Sequence, residues 1–143
     1  TLESRGLGDV YKRQRDNWTE HVLGLTAAND LSERVLQGKT GHFTRAKGFD
    51  TFCPLGPFIQ TEFTSNPELN IKAYVNGDLK QDGNSRDMIY SIGEILEFVT
   101  SIMTLLPGDV VMTGTPEGVS QVKPGDEIKI EIETLGTLIN SVE

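Results

Sequence analysis

The stretch Leu69-Asn70-Ile71-Lys72-Ala73-Tyr74-Val75-Asn76-Gly77-Asp78-Leu79-Lys80-Gln81 decides the fold class. From Leu69 to Val75 apolar and polar residues alternate, the period of two that sets one strand face on a core and the other in water. Asn76-Gly77 suits the two left-handed positions of a type I′ turn, so Asp78 to Gln81 should return antiparallel to the first strand. Working upstream, Pro57 to Phe63 alternates in the same way, and Val22, Leu23, Leu25 and Ala27-Ala28 form an apolar run short enough for a buried strand. Downstream, Ile128, Ile130 and Ile132 alternate with charged residues in a half-exposed strand, and Gly136 leads into a last short strand through Leu138.

Between the strands the signals are mixed. Ser32 to Gln37 can form a helical turn, and Gly38 to Gly48 has the glycine-bearing polar composition of a mobile loop. Ser91 and Glu94 make a capping-box pattern, with Ile92, Ile95, Leu96, Val99 and Met103 on one face, which predicts a helix whose apolar side meets the core. Pro107-Gly108-Asp109 stops that helix and turns the chain into an expected strand at Val110 to Thr113, which breaks at Thr113-Gly114-Thr115-Pro116. The sum is an α+β, strand-rich class with one solid helix. Residues 1–14, with Arg5, Lys12, Arg13 and scattered glycines, carry no apolar periodicity and are expected to be a non-native or disordered addition. The domain proper is then 15–143.

Composition narrows the partners. The 143 residues are 36% hydrophobic and 24% charged, which fits one globular domain. Thirteen basic against twenty-one acidic residues leave a net charge of -8, a field that repels phosphate backbones and anionic lipid, so neither nucleic acid nor membrane is expected as a partner. Cys53 is the single cysteine and cannot form an internal disulfide, which points to a reducing cytoplasm. Followed directly by Pro54, it reads as a buried small residue and not a nucleophile.

Several polar groups at strand ends could carry chemistry. Asp30 closes an apolar run, and Arg34 and Gln37 follow at four and seven residues, so one helical turn would bring the three to one side. Asp30 could serve as a hard oxygen ligand for a divalent cation and Arg34 as a fork for a carboxylate. An Asx cap with an ion pair between Asp30 and Arg34 explains the same spacing. Lys47, in the Arg45 to Thr51 loop, could bind an anion or simply be solvated. In Thr113-Gly114-Thr115-Pro116 the glycine permits close backbone approach and the hydroxyls can donate, or the four residues form an ordinary turn. His21 and His42 show no ligand spacing, and no phosphate-binding loop, dinucleotide fingerprint, zinc pattern or nucleophile elbow is present.

Five ordered strings resemble the fumarylacetoacetate hydrolase family: Ala28 to Gln37 (ANDLSERVLQ), Lys47 to Pro57 (KGFDTFCPLGP), Asn84 to Tyr90 (NSRDMIY), Leu106 to Val119 (LPGDVVMTGTPEGV) and Pro124 to Asp126. The resemblance implies a mixed β-roll of the family's C-terminal domain type, a homodimer, and a bound Mg²⁺, Mn²⁺ or Ca²⁺. It implies action on a 2-oxo acid or enol diacid by C–C hydrolysis, decarboxylation or isomerisation, through an enolate stabilised by the cation. Carried over by position, Asp30 is similar to the metal ligand, Lys47 to the catalytic lysine near metal and substrate, and Arg34, Gln37, Lys47 and Thr115 to substrate-binding groups. Glu33 and Val35 depart from the commoner Ala and Asp beside the arginine. The family's Glu-x-Glu pair and its His and Glu dyad belong upstream of the Asp30 motif and are not found there, so the chain is expected to be an N-terminally truncated fragment that holds its cation weakly. Glu131 and Glu133 have the pair's spacing but fall in the C-terminal strand. A non-catalytic module that retains the fold and the dimer surface is the alternative.

Overall fold

The computed structural model describes residues 16–143; the expectation for residues 1–14 lies outside them. The hairpin forms as the alternation requires. β3 (Asn70–Val75) and β4 (Asp78–Asn84) pair antiparallel across Asn76 and Gly77, whose φ angles of 51° and 85° are the two left-handed positions of the turn. On its other side β3 pairs antiparallel with β5 (Glu127–Ile132), which pairs with β6 (Gly136–Ser141), giving a four-stranded sheet in the order β4-β3-β5-β6. Register aligns Ala73 with Ile130 and Ile130 with Leu138, so one row of apolar side chains crosses three strands. Ala27, Ile128 and the partly buried Leu31, Val122 and Val142 complete this core.

A second, two-stranded sheet pairs β1 (Leu25–Ala28) with β2 (Leu55–Gln60). β1 starts three residues later than its apolar run suggests. Gly24 lies so close to Gln60 that a Cβ there would sit 2.5 Å from the Gln60 carbonyl oxygen, and the chain runs straight past that contact into the strand. β2 likewise ends at Gln60, and Phe63 instead stacks on Trp18 at 5.4 Å, with Trp18 Nε1 donating to Ser65 O.

Among the described residues three α-helices occupy the connections: α1 (Arg34–Thr40), α2 (Phe43–Lys47) and α3 (Ile92–Ile102). α2 replaces part of the loop expected over Gly38 to Gly48; its Ala46 is fully buried and accepts a hydrogen bond from Glu33 N, tertiary contacts that composition does not announce. α3 begins with the expected capping box, Ser91 accepting from Glu94 N and Glu94 from Ser91 N. Its apolar face does not reach the core. Ile92, Ile95 and Leu96 instead line a hollow of about 1860 Å³ whose far wall includes Ile71, Ala73 and Ile130, while Phe98 and Ile102 face solvent. The strand expected at Val110 to Thr113 is irregular chain along the wall of the same hollow, and among the described residues it pairs with no strand. No described helix is long and apolar enough to cross a membrane.

The hairpin is tied to β5 through one buried carboxylate. Asn76 Nδ2 donates to Asp126 Oδ1 at 2.8 Å, Asn76 Oδ1 accepts from Glu127 N at 2.9 Å, and Asp126 Oδ2 accepts from Lys123 N at 2.9 Å. The Asn76 hydrogen bond, then that from Lys123 N, hold the Asp126 carboxyl below its ordinary value of 3.8. A depressed folded pKa means that the ionised group stabilises above the ordinary value and loses that contribution as pH falls through the folded one. Asp126→Asn should therefore melt at a lower temperature than the unsubstituted chain at pH 7, with the gap closing below about pH 4. Melts followed by circular dichroism check this, and a gap independent of pH contradicts it.

Candidate functional site

The site is built where the chain leaves β1. Asn29 N donates to Pro54 O at 3.1 Å, Leu31 N to Phe52 O at 3.0 Å and Glu33 N to Ala46 O at 2.9 Å, so residues 29–33 are laced to the returning segment 46–54. That lacing brings Lys47, at the end of α2, against Asp30, seventeen residues earlier. Lys47 Nζ donates to Asp30 Oδ2 in an ion pair whose two side chains are each 37% exposed. Such a pair is reachable by solvent and by a ligand. Beside it, Asn29 Nδ2 is buried and without a hydrogen-bond partner among the described residues, an orphan donor next to the pair.

Arg34 opens α1, capped by Glu33, whose carboxylate accepts from Val35 N at 2.9 Å. Arg34 Nη1 donates to Gln37 Oε1 at 2.8 Å. The helical turn expected to unite Asp30, Arg34 and Gln37 is thus corrected: α1 starts at Arg34, Asp30 lies in the extended segment before it, and the carboxylate pairs with Lys47 and not with Arg34.

Thr115 comes from the other wall. Gln81 Nε2, from β4, donates to Thr115 Oγ1 at 2.8 Å and to Pro116 O. Two glycines seat this loop on β4: a Cβ at Gly118 would meet Lys80 O at 2.0 Å, and one at Gly83 would meet Pro116 Cγ at 2.8 Å. Asp30, Lys47, Arg34 and Thr115 all line the large hollow, as do Asn29 and Gln81; Gln37 is not on its wall and touches it only through Arg34.

A divalent cation meets the right kind of donor at Asp30, but the number falls short. Among the described residues no group of three His, Cys, Asp or Glu side chains could hold a metal. Glu131 and Glu133 do not join Asp30: Glu131 accepts from Lys129 at 2.8 Å and Glu133 from Asn70 at 2.8 Å, on the sheet face opposite Ile132 and the hollow. The Lys129 hydrogen bond holds the Glu131 carboxyl below its ordinary value and raises Lys129, and the ammonium also sits 4.2 Å from the Tyr74 ring centre. Cys53 is exposed, contrary to the expectation of burial, because β2 begins beyond it, and its Sγ lies 3.6 Å from Met112 Sδ.

Sequence reading passed over Asn29 and Gln81. Gln81 carried no local signal: an unbulged hairpin would set it opposite Lys72, and the register shift between Ala73 and Tyr74 brings it opposite the core residue Ala73 instead.

The chain matches the fumarylacetoacetate (FAA) hydrolase C-terminal family over residues 4–143, and it belongs to that family. It is similar to the oxaloacetate tautomerase YisK of Bacillus subtilis, 40% identical over 132 residues, 86% of this chain and 44% of the relative. Among solved structures it is similar to the 5-carboxymethyl-2-hydroxymuconate delta-isomerase of Mycobacterium smegmatis, 43% identical with a TM-score of 0.86, covering 89% of this chain and 50% of that one. It is also similar to the maleylpyruvate hydrolase of Sphingobium sp. SYK-6 in complex with manganese (II) ion and pyruvate, 36% identical with a TM-score of 0.79, covering 90% and 47%. The chain spans about half the length of the relatives it matches, and those relatives include tautomerases, isomerases and hydrolases.

Gly118→Ala should dislodge the Thr115 loop, because its φ of 99° and the Lys80 carbonyl both exclude a Cβ. The expected cost is about 2–4 kcal/mol, read as a lower denaturant midpoint; an unchanged midpoint contradicts the close seating.

Proposed function

We propose that this chain is part of an enzyme that cleaves, decarboxylates or isomerises a 2-oxo acid or its enol diacid through an enolate, with Asp30 as a ligand of a divalent cation, Mg²⁺, Mn²⁺ or Ca²⁺. The observation that carries the reading is the Asp30 and Lys47 pair in a hollow shared with Arg34 and Thr115. The manganese and pyruvate complex of the Sphingobium relative supports the pairing of cation and 2-oxo acid. When bound, the cation supplies Lewis acidity toward the 2-oxo and carboxylate oxygens.

The chain's own groups divide the remaining work. Lys47, hydrogen-bonded to the Asp30 carboxylate, is the proton donor to the enolate oxygen or carbon. The Arg34 guanidinium, held by Gln37, offers its planar fork to a substrate carboxylate, and Thr115 donates its hydroxyl proton to a carboxylate oxygen. Residues 15–143 form the corresponding part of a catalytic domain, and assembly as a homodimer would cover exposed apolar side chains such as Ile89, Phe98 and Ile102. A non-catalytic module is the second reading, favoured by the single carboxylate among the described residues at the cation position.

Calorimetric titration of Mn²⁺ into the chain, with and without oxalate as a chelating enolate mimic, tests the first reading. Oxalate should strengthen Mn²⁺ binding at least about tenfold, and Asp30→Ala should abolish the effect. Mn²⁺ binding that is indifferent to oxalate, or to Asp30→Ala, contradicts it and favours the module.

A further inference from the structure

We infer that Gln81 is a positioning residue for the substrate carboxylate, holding Thr115 with its hydroxyl proton turned toward the ligand; this rests on the role proposed above for Thr115. The chemistry of the clamp fixes its polarity. Gln81 Nε2 lies 2.8 Å from Thr115 Oγ1 and 2.5 Å from Pro116 O. A carbonyl oxygen can only accept, so the amide atom facing Pro116 is the nitrogen. A primary amide nitrogen carries two protons, and these two partners use both.

The consequence falls on the hydroxyl. Thr115 Oγ1 receives a proton from Gln81, so its own proton cannot point back along that bond and is left for another acceptor. No described residue takes it. Thr115 lines the hollow together with Asp30, Lys47 and Arg34, and a carboxylate, which offers acceptors only, matches a hydroxyl presented as a donor. Without the amide the hydroxyl is free to rotate and to accept instead.

The base of the clamp is fixed independently. Gly83 and Gly118 bring the loop against β4 on both sides of the Gln81 contact, closely enough that neither tolerates a Cβ. Gln81 stands opposite Ala73 in the antiparallel register, so the strand aims the amide inward instead of leaving it in water. The side-chain contacts of Gln81 are to the loop, so the effect inferred for it on a ligand passes through Thr115.

Titration of oxalate into the Mn²⁺-loaded chain tests this with Gln81→Leu, Thr115→Val and the double variant. Each single substitution should weaken oxalate binding by about tenfold, with Mn²⁺ affinity unchanged as evidence of an intact fold, and the double variant should bind no more weakly than Thr115→Val alone. Gln81→Glu gives a second arm that does not depend on the tolerance of the site for leucine. Its carboxylate would capture the Thr115 proton and repel the Pro116 oxygen, so oxalate affinity relative to the unsubstituted chain should be lowest at pH 7 and recover toward about pH 4–5 as the carboxylate protonates. Unchanged affinity in Gln81→Leu beside a loss in Thr115→Val, additive losses in the double variant, or a pH-independent defect in Gln81→Glu overturns the role of Gln81 alone. Absence of oxalate binding by the unsubstituted chain, or unchanged affinity in Thr115→Val, overturns the reading of Thr115 and this inference with it.

Discussion

Three main-chain hydrogen bonds, from Asn29, Leu31 and Glu33 to the carbonyls of Pro54, Phe52 and Ala46, fix the geometry on which the site depends. They extend the β1 and β2 pairing past the end of the strands and commit the chain to return at Lys47. A carboxylate and an ammonium seventeen residues apart become partners because the lacing returns the chain beside Asp30. An exposed ion pair of this kind contributes little to stability, so the pair is better understood as a consequence of the lacing than as its cause. The fully buried Ala46 and Ala27 show why the segment can approach so closely, since neither carries a side chain large enough to hold the layers apart.

The second constraint is the apolar hollow. α3 presents Ile92, Ile95 and Leu96 toward Ile71, Ala73 and Ile130 of the sheet, yet the two faces line a shared space instead of touching. The sheet is ordered on its own account by the Ala73, Ile130 and Leu138 row and by the Asn76 and Asp126 bridge. The hollow places the proposed chemical groups on one concave surface: Asp30, Lys47 and Arg34 arrive from the β1 exit and the short helices, Thr115 from a loop strapped to β4.

The legible parts of the fold were those whose stability is local. The hairpin at Asn76-Gly77, the capping box at Ser91 and the Ile128, Ile130 and Ile132 alternation each carry their cause within a few residues, and each formed. The misreadings have long-range causes. Helix α2 exists because Ala46 buries and receives the Glu33 amide, contacts that a glycine-bearing basic stretch does not advertise. Val110 to Thr113 has strand composition but pairs with no strand among the described residues, and β propensity without a ladder gives irregular chain. At the site, spacing alone suggested a helical grouping of Asp30, Arg34 and Gln37, whereas the carboxylate belongs with Lys47; the family resemblance named both residues without revealing their contact. Gln81 went unnoticed because its importance lies in a hydrogen bond across 34 residues.

The central claim is that Asp30 marks a cation position facing the same hollow as Lys47, Arg34 and Thr115. Anomalous diffraction at the manganese edge, from crystals of the chain grown with Mn²⁺ and oxalate, addresses it most directly. The account predicts one strong peak in coordination contact with the Asp30 carboxylate, with oxalate on its hollow side between Arg34 and Thr115. A peak held by Glu131 and Glu133 on the opposite sheet face, or no peak at Asp30, would contradict it.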